Sequence, residues 1–216
     1  ASAHLNKVLE YPNNKYSEEA MMMSAEMAYL AKDYAKALEW YKLLKDRAST
    51  PERRELAVTG MLRSAAMAGN DEEVILAATA VLADTKVAPE LENEARYYRA
   101  QSLVKVNQMA HAVVDWQSLA QDTRNAYGAE AKYQLAQYLF DTGKTAEAEK
   151  EVLNYLEVST PHTYWLARSF VLLSDIYAKL DRKLEARQYL LSLKQNYQAD
   201  DDIAGMIESR LEKLNE

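Results

Sequence analysis

A turn that returns five times limits what this chain can fold into more than any other feature. A short polar stretch ending in a small residue recurs as Lys32-Asp33-Tyr34-Ala35-Lys36-Ala37 and as Gly69-Asn70-Asp71-Glu72-Glu73-Val74. It comes back as Asn107-Gln108-Met109-Ala110-His111-Ala112, Gly143-Lys144-Thr145-Ala146-Glu147-Ala148 and Asp181-Arg182-Lys183-Leu184-Glu185-Ala186. From Ala37 through Val74, Ala112 and Ala148 to Ala186, the intervals are 37, 38, 36 and 38 residues. A near-constant period of this size marks supersecondary units that bury their faces against their neighbours.

Each unit reads as a helical hairpin. Before the turn come Ala25 and Ala28, Leu62 and Ala65, Ala100 and Leu103, Ala136 and Leu139, and Ser174 and Tyr177, where two helices approach closely. Four positions after each anchor stand Tyr41, Trp116, Val152 and Leu190, with Ala78 as the exception. Three further on come Leu44, Val81, Leu119, Tyr155 and Leu193. Offsets of three and four put these apolar residues on one face of each second helix.

Composition agrees. Five Gly and four Pro among 216 residues leave few helix breakers, so the expected class is all-α. Pro12, Pro51, Pro89 and Pro161 fall between units, where a helix should stop. Ser49-Thr50-Pro51-Glu52 and Ser159-Thr160-Pro161 read as helix starts. Asp200-Asp201-Asp202 precedes a last amphipathic stretch, Ile203 to Leu214, and acidic residues suit the positive end of a helix dipole. The expected division is one stack over 1–216, with repeats at 18–51, 55–88, 93–126, 129–162 and 167–200. A capping helix is expected at 203–216, and residues 1–14 read as the remnant of a truncated preceding repeat. More repeats are expected upstream.

Several function classes are disfavoured. The chain has no Cys, hence no disulfide, thiolate metal site or cysteine nucleophile. A formal net charge of -7 runs against general nucleic-acid binding, and no apolar run is long enough to span a bilayer. There is no Gly-rich phosphate loop, Gly-x-Ser-x-Gly elbow or His-Glu-x-x-His helix, so the reading is non-enzymatic and implies no cofactor and no metal. Glu72 and Glu73, and Glu147, Glu149 and Glu151, read as solvated helix faces rather than a catalytic pair. His111 and His162 read as surface and capping residues rather than metal ligands. Asp200-Asp201-Asp202 lacks the following loop that a cation site requires.

The pattern resembles the tetratricopeptide repeat (TPR) family over roughly residues 18–200. The first unit carries the likeness best, through Ala25, Asp33-Tyr34, Ala37, Tyr41 and Leu44. The fourth carries it through Ala136, Gly143 and Ala148, and the fifth through Tyr177 and Ala186. Departures are a period of 36–38 instead of 34, Val74 at the usual Ala position, and a mostly absent aromatic early in the first helix. The resemblance implies a right-handed α-α superhelix, a TPR-like solenoid of about five hairpins. Tyr11-Pro12-Asn13-Asn14-Lys15-Tyr16-Ser17-Glu18-Glu19-Ala20 looks like the connections of bacterial cell-envelope TPR proteins, including periplasmic factors of the Tol-Pal system and lipoproteins of outer-membrane protein assembly. The block from Ser159 to Arg168, with Gln198 to Ile203, looks like the C-terminal part of large Bacteroidetes TPR proteins. A periplasmic or outer-membrane-associated location is the expectation, with the cytoplasm as its alternative.

In that family the first helix of each hairpin lines a concave groove that holds a protein or peptide segment. The positions that match here are Met22, Glu26 and Tyr29, Thr59 and Arg63, Tyr97 and Gln101, Tyr133, Gln137 and Phe140, and Val171 and Asp175. Aromatic, amide and thioether side chains suit adaptable recognition. The alternative is that they merely fill a narrow groove. Arg63 is the lone basic residue among them, so a clamp for chaperone C-terminal carboxylates is not expected. A glycan-binding envelope protein and a homo-oligomerising structural module, stacking through the truncated N-terminal repeat, are the rival functions.

Overall fold

A computed structural model describes residues 16–214, and the expected remnant at 1–14 lies outside them. Among the described residues the chain forms eleven helices and no strand. They are α1 (Ser17–Leu30), α2 (Tyr34–Arg47), α3 (Pro51–Ala68), α4 (Asp71–Leu82), α5 (Pro89–Lys105) and α6 (Met109–Leu119). The others are α7 (Ala126–Asp141), α8 (Thr145–Leu156), α9 (Thr163–Lys179), α10 (Lys183–Asn196) and α11 (Ile203–Lys213). Five hairpins account for α1 to α10; α11 is the additional helix, and it packs on α9 and α10.

One backbone device makes all five hairpins. The first helix of each ends at a residue in the left-handed region, and these are Lys32, Gly69, Asn107, Gly143 and Asp181. The next residue then sends its N–H back to the carbonyl five positions earlier: Asp33 to Ala28 (2.9 Å), Asn70 to Ala65 (3.0 Å), Gln108 to Leu103 (2.7 Å), Lys144 to Leu139 (2.8 Å) and Arg182 to Tyr177 (2.8 Å). This is the Schellman closure, which satisfies carbonyls that the helix end would leave bare. The same residue caps the second helix, since its carbonyl accepts the anchor N–H from Ala37, Val74, Ala112, Ala148 or Ala186. Asp33 and Asn70 add a side-chain cap, accepting from the N–H of Lys36 and Glu73. All five anchors are buried.

First helices after α1 are long: α3 has 18 residues, α5 17, α7 16 and α9 17. Second helices have 11 to 14. The long first helices are where the period exceeds 34. Prolines set some of these starts. Pro51 and Pro89 occupy the first turns of α3 and α5, where a missing N–H costs nothing; α5 thereby begins four residues ahead of the expected 93. Ahead of α11, Asp201 rather than Asp202 does the capping, accepting the Ile203 N–H at 3.0 Å.

The contacts group the chain into two compact units, the first ending at Asp115 within α6 and the second beginning at Trp116. In the first, helices pack in chain order from α1 to α5, and α3 also touches both α1 and α5. Its core gathers Met21, Ala25, Ala37, Leu44, Leu62, Ala65, Val74 and Ala78. Tyr41 of α2 crosses α3 at Gly60, where any Cβ would stand 2.4 Å from the ring. Asp115 is wholly buried and accepts from Arg99 at 2.7 and 2.8 Å and from Arg96 at 3.4 Å. In the second unit α7 to α11 pack in order, with α9 touching α7 and α11. Val152, Leu173, Ile176 and Ala186 form one core cluster, and Val171, Leu190, Ile203 and Ile207 form another. Gly128 begins α7 against the carbonyl of Asp122, which a Cβ would approach to 2.1 Å. No helix among the described residues is long and apolar enough to cross a membrane.

Candidate partner-binding groove

The first helices of successive hairpins lie side by side within each unit, and the expected groove residues fall on them. In the first unit, Glu26 and Tyr29 of α1 and Thr59 and Arg63 of α3 line one cleft of about 460 Å3. Tyr41, Glu52, Glu55, Leu56 and Gly60 complete its walls. Met22 instead packs against the core. Tyr97 and Gln101 of α5 are half-buried and lie outside this cleft; the Tyr97 ring meets Tyr98 edge-on at 5.5 Å.

The walls differ in how their polar groups are engaged. Arg63 donates from Nε and Nη2 to the two carboxylate oxygens of Glu94, both at 2.8 Å, a paired geometry that holds the guanidinium toward α5. Tyr29 meets Tyr34 edge-on at 5.2 Å. The Tyr41 pKa is raised, first by burial and then by the neighbouring Glu26 carboxylate. At the α3 start, Glu18 of α1 accepts from the N–H and hydroxyl of Ser49 and from Arg53 at 2.8 Å. Burial pushes the Glu18 carboxyl up, but these bonds outweigh it and leave its pKa lowered.

The second unit departs from expectation. Tyr133 is only 5 % exposed and belongs to the core cluster, so its ring is not a free surface. Its hydroxyl donates to Gln137 at 3.0 Å and accepts from Arg168 at 3.0 Å. The Arg168 guanidinium also lies 5.0 Å from the Tyr133 ring centroid and pairs with Asp202 at 3.2 Å. Gln137 in turn donates to Asp141 at 2.8 Å. Phe140 carries the Lys179 ammonium 4.8 Å from its centroid. Val171 is buried in the second core cluster. Asp175 accepts from Nε and Nη2 of Arg210, each at 2.8 Å. Each expected polar position here is engaged inside the unit: arginines further along the chain reach back to Tyr133 and Asp175, and Gln137 is held by its own helix neighbours.

Sequence reasoning missed Arg168, Tyr41, Glu52 and Glu55. Glu52, Glu55 and Thr59 follow a three-four spacing on α3, which puts them on one helix face and was the available signal. Tyr41 carried none, since its position four after an anchor reads as packing alone. Among the described residues no group of three or more acidic or histidine side chains is placed to hold a metal ion. Compared with known proteins, the chain matches no family model and no curated protein.

Proposed function

We propose that the five hairpins are TPR-like repeats, winding within each unit as a right-handed solenoid, and that the chain is a non-enzymatic scaffold for partner protein segments. The observation that carries this reading is the α1–α3 cleft, which gathers Glu26, Tyr29, Thr59 and Arg63 from two successive first helices. Stacked helical hairpins offer extended surfaces of this kind, and binding would work by shape and polar complementarity without chemistry. The non-enzymatic part rests on the lack of catalytic motifs in the sequence. A bacterial cell-envelope location rests on the likeness of Tyr11 to Ala20 and on the cysteine-free composition.

Selection of a displayed random-peptide library on the immobilised protein tests the proposal. Enriched peptides should compete with one another and lose binding in a Tyr29→Ala, Thr59→Arg variant that keeps its helical circular dichroism. A library that yields no binder, or binders indifferent to both substitutions, overturns it.

Self-association is a second reading, favoured by one observation. Met23, Met27 and Leu30 are exposed along one stripe of α1, a face of the kind that repeat stacks cover. A light-scattering mass that stays monomeric across a hundredfold range of concentration would exclude it.

A further inference from the structure

We draw no further inference here: the strongest candidate, the apolar trough between α2 and α4 lined by Val58, Met61, Ala77, Ala80 and Ala83, is an open face, and nothing in the structure shows what covers it.

Discussion

Arg63 and Glu94 face each other through two hydrogen bonds of 2.8 Å across thirty-one positions of sequence, joining the first helix of one hairpin to the first helix of the next. Glu18 with Arg53 does the same between α1 and α3, and Asp175 with Arg210 between α9 and α11. Such pairs hold neighbouring hairpins in lateral register. Because the Arg63 side chain is 51 % exposed, solvent screens much of the attraction. A double-mutant cycle with Arg63→Ala and Glu94→Ala should therefore return a coupling of about 0.5 kcal/mol in urea unfolding. A coupling indistinguishable from zero would show the pair to be ornamental.

The five left-handed turn residues predict opposite outcomes for mirror-image substitutions. Lys32 and Asp181 hold positive φ despite carrying a Cβ, so Lys32→Gly and Asp181→Gly should each stabilise by about 0.5 kcal/mol after the entropy of the unfolded glycine is subtracted. Gly69 and Gly143 hold the same conformation with open space around them. Their replacement by Ala should cost about 1 kcal/mol from backbone strain alone. Chemical denaturation of the four variants checks the signs, and a destabilising Asp181→Gly would contradict the account.

Close approach is the constraint at Gly60 and Gly128. Gly60→Ala would drive a methyl into the Tyr41 ring, and a displaced ring in a packed core costs about 1–3 kcal/mol. The same change should reshape the α1–α3 cleft. Gly128→Ala meets backbone carbonyls of Asp122 and Leu119, which cannot rotate aside, so it should be the worse of the two. Thermal unfolding should rank the melting temperatures wild type, Gly60→Ala, Gly128→Ala in descending order.

Glu18 gives an acid-side test. Its pKa is lowered in the folded protein by bonds from Ser49 and Arg53, against the upward push of burial. A depressed folded value means that its stabilisation is complete above the unfolded pKa, about 4.3 for Glu. That stabilisation disappears as pH falls through the lower folded value. Glu18→Gln should lower the melting temperature at pH 7, with the gap to wild type closing as pH falls through the lowered folded value. A gap that stays constant with pH would refute the assignment.

Much of this fold was legible because small anchors must repeat wherever helices close up: Ala37, Val74, Ala112, Ala148 and Ala186 are all buried. Their turns were legible as turns but not as one conformation, since Lys, Gly, Asn, Gly and Asp share the left-handed position. The groove was harder to read. Glu26, Tyr29, Thr59 and Arg63 do meet, whereas Tyr133 and Val171 are core residues. Periodicity reports which face a residue occupies, and it is silent on whether an arginine thirty-five positions later reaches back, as Arg168 does to Tyr133. Tyr41 was read as a packing wedge, and the room for its ring depends on Gly60 in another helix.

The doubled use of one residue in every turn, as closure of one helix and cap of the next, fixes a length. From the accepting carbonyl to the anchor the count is nine residues in all five hairpins, Ala28 to Ala37 through Tyr177 to Ala186. From each anchor to the next accepting carbonyl it is 28, 29, 27 and 29. One residue inserted in the turn would rotate the second helix by about 100° and carry its anchor off the interface. The junctions between hairpins bear no such double duty. Insertions and deletions are thus confined to the junctions between hairpins, and each turn behaves as a ruler that sequence drift cannot stretch.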